Sequence, residues 1–397
     1  MSDISVPGFK AGAVKAGIRG KDRLDVGLIF SEVPASASGV FTTSRVKAAP
    51  VLLGAENLKG GKAQAIIVNS GIANACTGQD GMVLAKETAS LVAGNLGIDP
   101  ALVQVSSTGV IGEQLEIGLF EKCMAFLVDS LTPEGLSDVS RAIMTTDTVP
   151  KTAQRVLALG GKEVTMAGLA KGAGMIMPNM ATMLSFVMTD AAVSSDMLKS
   201  MLQKGVDQSF NVVTVDGDTS TNDTVLLLAN GVAGNSEIVE QDSADAILFQ
   251  ECLDDLLLDL ALQIVKDGEG ATKLITVHVS GAETAEDADR AARTIANSSL
   301  FKTACFGEDA NWGRIIAALG RSGAVFDAEK VSIAFDDVVM VEKGLGQGVD
   351  QESLATAVLK KDAFILHVNL NAGAAESMVY TCDLSIDYIK INADYRT

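Results

Sequence analysis

Strand-like apolar runs alternate with helical segments along the chain, and this alternation constrains the fold more than any other feature of the sequence. Segments 63–71 and 102–112 are short apolar runs that end in small or hydroxyl-bearing residues, as buried strands do. Segment 84–97 between them has the three- and four-residue apolar spacing of a helix. Further strands at 273–281 and 363–373 extend the pattern. Because alternating strands and helices are typical of α/β proteins, the sequence predicts an α/β fold.

The longest predicted helix covers residues 242–268. Ser243 stands where a side chain caps the first turn of a helix, and Gly268 stands where a left-handed glycine often ends one. The polar stretches 233–245 and 283–290 are the weakest parts of the pattern. Neither predicts a convincing domain boundary.

Composition excludes several classes of protein. The 397 residues carry 50 acidic and 31 basic side chains, a formal charge of −19, whereas nucleic-acid binding requires a basic surface. The five cysteines are dispersed without a C-x-x-C pair, as in reduced cytosolic proteins. The N-terminal residues lack a continuous apolar signal segment, and no apolar run is long enough to cross a bilayer. We therefore expect a cytoplasmic protein that binds neither nucleic acid nor membrane.

Histidine chemistry is a poor candidate for this chain. The two histidines, His278 and His367, each lie within an alternating apolar strand, so we interpret both as structural. The acidic loop 215–223 resembles a calcium loop, but Thr221 stands where an EF-hand requires glycine, and the closing glutamate is missing. We interpret this loop as a turn whose side chains bind the backbone, with a metal site as the lesser alternative. No metal is expected.

A threonine in an unusual segment offers a different chemistry. Thr182 follows the small residue Ala181, and its hydroxyl could attack the carbonyl carbon before it. Cleavage there would convert the amide of Thr182 into an α-amine with a pKa of about 8, which can accept a proton near neutral pH. The β-branch of threonine restricts the hydroxyl to few rotamers. The alternative is that Thr182 simply packs in a methionine-rich core strand, and the spacing of residues does not decide between the two.

Several long blocks, in the same order, give the chain a resemblance to the ArgJ-type ornithine acetyltransferases of bacteria (glutamate N-acetyltransferases). The segment around Thr182, AKGAGMIMPNMATML (170–184), resembles the self-cleaving segment of that family. The other matching blocks are NSGIANACTG (69–78), SSTGVIG (106–112), AIMTTDTVPK (142–151), FNVVTVDGDTSTNDT (210–224), KDGEGATK (266–273), KTACFGEDANWGRI (302–315) and INADYRT (391–397).

The resemblance implies self-cleavage between Ala181 and Thr182, which gives an α chain of residues 1–181 and a β chain of residues 182–397. It implies a four-layer α/β/β/α sandwich of the DmpA/ArgJ type, in which both chains share one core and assemble as α2β2. The implied reaction moves acetyl from N2-acetyl-L-ornithine to L-glutamate through an acetyl ester of Thr182. This ping-pong reaction needs no cofactor. Some members also use acetyl-CoA to acetylate glutamate, and the sequence leaves this open.

The same resemblance implies roles for particular residues. Thr182 is the nucleophile of both self-cleavage and turnover, and Thr108 with Gly109 forms the oxyanion hole. The residues that match substrate-contacting positions are Thr145, Lys171, Thr182, Glu269, Asn392 and Thr397. A fixed cation and a fixed anion suit amino-acid substrates that carry both charges.

Two alternatives remain at this point. One is an N-terminal-nucleophile aminopeptidase or amidase on the same fold, which would pass its acyl group to water. The other is an uncleaved, non-catalytic protein that binds an amino acid. A denaturing gel distinguishes the second alternative from a self-cleaving enzyme, because an uncut chain would give one band.

Overall fold

The computed structural model of the protein describes residues 4–20, 22–177 and 183–394. They contain the predicted alternation of strands and helices, so the α/β fold class is confirmed. The strands are β1 Phe9–Val14, β2 Val26–Phe41, β3 Lys62–Ile72, β4 Val103–Val110, β5 Lys151–Leu159, β6 Lys162–Lys171, β7 Leu184–Thr189, β8 Thr224–Ala229, β9 Leu274–Ala282, β10 Ser332–Phe335, β11 Val338–Glu342, β12 Leu345–Gly346, β13 Ala363–Asn369 and β14 Ala375–Cys382. The helices are α1 Ala49–Asn57, α2 Gly78–Leu96, α3 Ile117–Asp129, α4 Leu136–Ala142, α5 Ser195–Gln208, α6 Ala244–Lys266, α7 Ala285–Ala296, α8 Ser299–Phe306, α9 Trp312–Gly320, α10 Val349–Leu359 and α11 Ile386–Ala393.

The chain divides into two compact units. The first comprises Met1–Asn211 and Asp218–Ile264, and the second comprises Val212–Gly217 and Val265–Thr397. Neither polar stretch singled out in the sequence is a boundary. The first of them is tied to the start of α5, because Ser194 N–H donates to the Ile238 carbonyl at 3.1 Å. The second leads into α7.

A single bent sheet organises the first unit. Its strand order is β4-β3-β2-β8-β7-β6-β5, and β1 pairs with β2 outside this path. Strand β2 is long, with an irregularity between Phe30 and Ala35 where its pairing with β3 shifts. The part before the irregularity pairs with β1, and the part after it pairs with β8. One strand therefore belongs to both halves of the sheet.

Alternating side chains of this sheet fill separate layers. On β3, Ala65 and Ile67 pack with helices α2 and α3, whereas Ile66 and Val68 join an inner cluster that includes side chains of β6, β7 and β8. Behind β6, α6 places the side chains of Leu256 and Leu260 over Gly168. The two halves of this sheet therefore form the two inner layers. Helices α2 and α3 cover one half and α6 covers the other, which is the predicted α/β/β/α sandwich.

The second unit has a six-stranded sheet of order β12-β11-β10-β13-β9-β14. Its core side chains from β9 pack with alanines of α7 and with α9. His278 and His367 are partners in the parallel register of β9 and β13, with their Nδ1 atoms 3.3 Å apart. Glu376 lies 3.1 Å from Nε2 of His278. Both histidines therefore contact neighbours on their own sheet, as interpreted from the sequence.

Helix α6 begins where the sequence indicates, because Ser243 Oγ accepts a hydrogen bond from Ala246 N–H at 3.3 Å. The expected left-handed glycine at its end is wrong. Gly268 donates to the Val265 carbonyl at 3.2 Å, and the left-handed residue is Gly270, with φ of 68°. The chain thus makes one further turn before it leaves the helix. In the described part of the chain, no helix has the length and apolar character needed to span a bilayer.

Candidate active site

Three of the residues predicted from the sequence, Ala181, Thr182 and Thr397, lie outside the described residues. The first described residue after Thr182 is Met183, which is buried and leads directly into β7. The surroundings of Met183 and of the end of β6 therefore define the candidate site in the first unit.

The predicted oxyanion pair ends strand β4. Thr108 and Gly109 lie opposite Ser70 and Gly71 of β3 in parallel register. Gly109 has φ of 132°, a region that favours glycine, and a Cβ atom there would overlap the backbone of Gly71. The close approach of these two strand ends therefore requires glycine at position 109.

Lys171 contacts Thr108 of this pair from another strand. It is the last residue of β6, and its Nζ donates to Thr108 Oγ1 at 3.3 Å. Both residues are buried. In antiparallel register Lys171 lies opposite Leu184, the first residue of β7. A cation is thus held between the predicted oxyanion threonine and the start of the strand that follows Thr182.

Asp147 connects several of these groups, although no role was predicted for it. Its Oδ1 accepts hydrogen bonds from Lys151 Nζ and Gly172 N–H, both at 2.7 Å. Its Oδ2 accepts from Thr145 N–H at 2.8 Å and from the Thr145 hydroxyl at 3.5 Å. The carboxylate therefore positions Thr145 and the residue after Lys171 together.

The charge on Asp147 is stable despite its burial. Burial alone would raise the pKa of this carboxyl, but the ammonium groups of Lys171 and Lys151 and the Thr145 N–H bring the pKa well below its usual range. The side chains of Lys151 and Asp147 are both fully buried. Asp147 is therefore kept as an anion at neutral pH, paired with the side chain of Lys151.

Asn222 holds the ends of strands β3 and β4 together. Its Nδ2 donates to the carbonyls of Ala73 at 2.6 Å and Ser107 at 2.8 Å. Ser107 Oγ in turn donates to Asn69 Oδ1 at 2.7 Å. The backbone just before Thr108 is thereby held by a side chain from the loop that precedes β8. Within the same loop, Ser220 Oγ accepts from the Asn222 N–H at 3.1 Å, a local turn contact, whereas Thr219 Oγ1 donates to the distant Met177 carbonyl at 3.1 Å.

In the second unit, two predicted substrate-contacting residues meet. Asn392 Nδ2 donates to Glu269 Oε2 at 2.7 Å and also to the Tyr388 carbonyl at 3.0 Å. Glu269 is 7% exposed. The next residue, Gly270, has a left-handed backbone, and a Cβ there would lie 2.6 Å from Ser385 Oγ. The carboxylate is thus presented by a tight loop against helix α11.

The sequence patterns identified the blocks but not the contacts within them. Asp147 and Lys151 lie in AIMTTDTVPK, and Asn222 lies in FNVVTVDGDTSTNDT. A local pattern does not show that these side chains meet Thr145 or Ser107 across the fold. In the described ranges, no three His, Cys, Asp or Glu side chains converge as metal ligands.

Comparisons with known proteins show what the whole chain is similar to. A sequence model described as the ArgJ family matches residues 10–397. The arginine biosynthesis bifunctional protein ArgJ of Desulfotalea psychrophila is 54% identical over 394 residues, which cover 99% of this chain and 100% of that protein. The crystal structure of the argJ protein of Bacillus halodurans is 44% identical, with a TM-score of 0.51, and covers 53% of this chain and 99% of that chain. An ornithine acetyltransferase of Mycobacterium tuberculosis, solved with ornithine, is 36% identical with a TM-score of 0.40 over 45% of this chain and 97% of that chain.

Proposed function

Since the chain belongs to the ArgJ family, we propose that it is an acetyltransferase of arginine biosynthesis that moves acetyl from N2-acetyl-L-ornithine to L-glutamate. One observation carries most of the argument. Lys171 and Thr108, which come from separate blocks of the sequence, are in contact beside the strand that follows Thr182.

Self-cleavage is the first step of the proposal. The hydroxyl of Thr182 attacks the carbonyl of Ala181, and hydrolysis of the resulting ester leaves residues 1–181 and 182–397 as two chains. The Bacillus halodurans chain supports this division, because it is matched almost completely and covers 53% of this chain. Residues 182–397 are 216 of the 397, about the same share.

Turnover then uses the amine and the hydroxyl of Thr182. The amine accepts the hydroxyl proton as the oxygen attacks the acetyl carbonyl, and the same proton goes to the departing ornithine amine. Lys171 donates to Thr108 Oγ1, so the hydroxyl proton of Thr108 is available to the oxyanion, together with the Gly109 N–H. Glutamate then attacks the acetyl-threonine ester, which regenerates the hydroxyl.

The polar groups of the substrates require charged partners. In the proposal, Lys171 and Thr145 contact the carboxylate end, and Glu269 with Asn392 contacts ammonium groups. The hydrogen bond of Asn392 to Glu269 Oε2 leaves the other carboxylate oxygen to receive an ammonium. Thr397 is included by resemblance alone.

Intact-mass spectrometry tests the proposal. The wild-type protein should give two fragments, and acetylornithine without glutamate should add one acetyl group to the fragment beginning at Thr182. Thr182→Ala should give a single uncut chain without transferase activity, and Thr182→Ser should still cleave because the hydroxyl remains. Two fragments from Thr182→Ala would contradict the assignment. Transfer to water in preference to glutamate would favour the aminopeptidase or amidase alternative.

Several further parts of the proposal are measured separately. The transfer needs no cofactor, and acetyl-CoA would act as a co-substrate in a second reaction that acetylates glutamate; release of free CoA in the absence of acetylornithine measures it. Native mass spectrometry tests the α2β2 assembly. The five described cysteines are free of disulfides, which supports a cytoplasmic location.

A further inference from the structure

Self-cleavage lacks the proton acceptor that turnover uses. In the uncut chain the nitrogen of Thr182 is an amide, and an amide does not accept the hydroxyl proton. The nitrogen must also gain a proton before it can leave. His278 and His367, the two histidines of the chain, lie in the second unit and contact each other on its sheet. A carrier other than the Thr182 nitrogen is therefore needed, and a titratable side chain packed near Met183 can serve.

Asp223 lies beside Met183, the residue that follows Thr182 in the sequence. It immediately precedes β8, where Thr224 pairs with Leu184 in parallel register. Thr224 N–H donates to the Met183 carbonyl at 3.1 Å, which places the backbone of Asp223 next to the residue after Thr182. The Asp223 carbonyl accepts from Thr42 N–H at 3.0 Å, so its position is fixed from β2 as well.

The carboxyl of Asp223 is buried without a hydrogen bond among the described residues. Asp223 is 2% exposed, and neither carboxylate oxygen has a partner there. The neighbouring Thr42 hydroxyl donates instead to the Ser220 carbonyl at 2.9 Å. A buried carboxyl without a hydrogen bond lowers the stability of the folded protein, and such groups are concentrated at sites where they serve a reaction.

The surroundings of Asp223 favour its protonated form. Burial raises the pKa of the carboxyl well above its usual value. The Met183 N–H and the Thr42 hydroxyl, which lie near the carboxyl without forming a well-aligned hydrogen bond, and the cation Lys171 offset this rise only in part. Lys171, at the end of β6, is the charged side chain that acts on this carboxyl. The raised pKa thus favours a protonated carboxyl near Met183.

We propose that the Asp223 carboxyl relays a proton during self-cleavage, from the hydroxyl of Thr182 to the nitrogen of the same residue. The carboxyl donates its proton to the nitrogen as the bond from Ala181 carbon to that nitrogen breaks. It takes up the hydroxyl proton as the bond from Thr182 oxygen to the same carbon forms. Asp223 ends as it began, and water then hydrolyses the ester to free the Ala181 carboxylate and the Thr182 hydroxyl. This relay rests on the proposed function, since it presupposes the cut before Thr182.

Asp223→Asn tests the relay, because asparagine has the same shape but cannot exchange the proton. Chains made by cell-free synthesis are sampled over time on a denaturing gel. We expect cleavage of Asp223→Asn to slow by about a hundredfold or more, the usual size of general acid–base catalysis. Asp223→Glu restores the carboxyl and should cleave faster than Asp223→Asn. Asp190→Asn is the matched control, since Asp190 is also buried, has a raised pKa through burial, and lies at the opposite end of β7; it should cleave like the wild type.

Two further readouts separate the relay from a structural role. The cleavage rate of the wild type should fall as the pH rises through the raised pKa of Asp223, because only the protonated carboxyl donates, and this dependence should be absent in Asp223→Asn. The uncut Asp223→Asn chain should unfold at a temperature equal to or above that of uncut Thr182→Ala. Cleavage of Asp223→Asn at the wild-type rate, or unfolding well below Thr182→Ala, would overturn the relay. Cleavage of Thr182→Ala would instead overturn the proposed function itself, so the two failures are distinguishable.

Discussion

At the scale of single residues, the first unit's site depends on where charge is buried and how it is paired. Asp147 and Lys151 are fully buried and joined at 2.7 Å, whereas Asp223 is equally buried without a partner among the described residues. The pKa of the first carboxyl is lowered by its neighbouring ammonium groups against the effect of burial, and the pKa of the second is raised by burial. Burial and pairing therefore shift the pKa values of two aspartates in one unit in opposite directions.

The paired carboxylate predicts a large loss of stability on substitution. Asp147→Asn leaves Lys151 as a buried cation without its counter-charge, which should lower the free energy of unfolding by about 3–5 kcal/mol. Urea unfolding at neutral pH measures this. Asp138→Asn is the control, because Asp138 pairs with Arg141 on the surface and should change stability by less than about 1 kcal/mol. Similar losses in both variants would contradict the argument.

The same pair predicts how stability depends on pH. Because the pKa of Asp147 is lower in the folded protein than in the unfolded chain, its contribution is fully present above the unfolded value of about 4. The contribution is lost as the pH falls below that value. The difference in unfolding free energy between the wild type and Asp147→Asn should therefore shrink in acid, which urea titrations at several pH values would show.

Gly109 gives a prediction about backbone geometry. Gly109→Ala forces a side chain into the left-handed region and against Gly71, for a combined cost of about 2–5 kcal/mol. Gly112→Ala has a similar backbone strain, with φ of 87°, but no atom within 4 Å of the new Cβ, so it should cost only about 1–2 kcal/mol. Thermal unfolding compares the two, and a denaturing gel should show impaired self-cleavage only for Gly109→Ala.

At the scale of elements, helix α11 and the loop before β9 form one structure in the second unit. Ser385 Oγ caps α11 by accepting from Asp387 N–H at 3.2 Å, and it also lies against Gly270. Asp383 Oδ1 accepts from the N–H groups of Thr272 at 2.7 Å and Lys273 at 2.9 Å. Glu269 is therefore held by a loop that is anchored at both ends.

This anchoring predicts that Glu269 can be changed without unfolding the loop. Glu269→Gln keeps the shape and the contact with Asn392 but removes the negative charge, so kcat/KM for acetylornithine should fall roughly 10- to 100-fold. Self-cleavage should remain complete, with two bands on a denaturing gel. Glu283→Gln, an exposed glutamate of the same unit, is the control and should leave kcat/KM unchanged. Loss of cleavage in Glu269→Gln would mean that the residue is structural.

At the scale of the whole molecule, the proposed cut passes through a sheet and not between units. Strands β7 and β8 follow residue 182, yet they lie between β2 and β6, which precede residue 181. Both fragments thus share hydrogen-bonded strands and the inner apolar cluster of the first unit.

This sharing predicts that the fragments do not separate after cleavage. In native buffer the two should elute together in size-exclusion chromatography, although a denaturing gel resolves them. Residues 182–397 expressed alone should not fold, because β7 lacks β6 and β8 lacks β2. Free fragments in native buffer would contradict the prediction.

The sequence by itself determined the secondary structure and the identity of the chemical groups. The apolar periodicity that predicted strand 63–71 and the cap at Ser243 acts over a few residues, so it is visible in a local pattern. The predicted residues Thr108, Lys171, Glu269 and Asn392 came from long blocks whose order resembles one family. Only the tertiary structure decided how these groups pair: that Asp147 joins Thr145 to Gly172, that Asn222 holds the strand before Thr108, and that Asp223 is left beside Met183. Protonation and positioning depend on burial and on charges that are distant in sequence, and the folding of the chain is what brings them within a few ångströms.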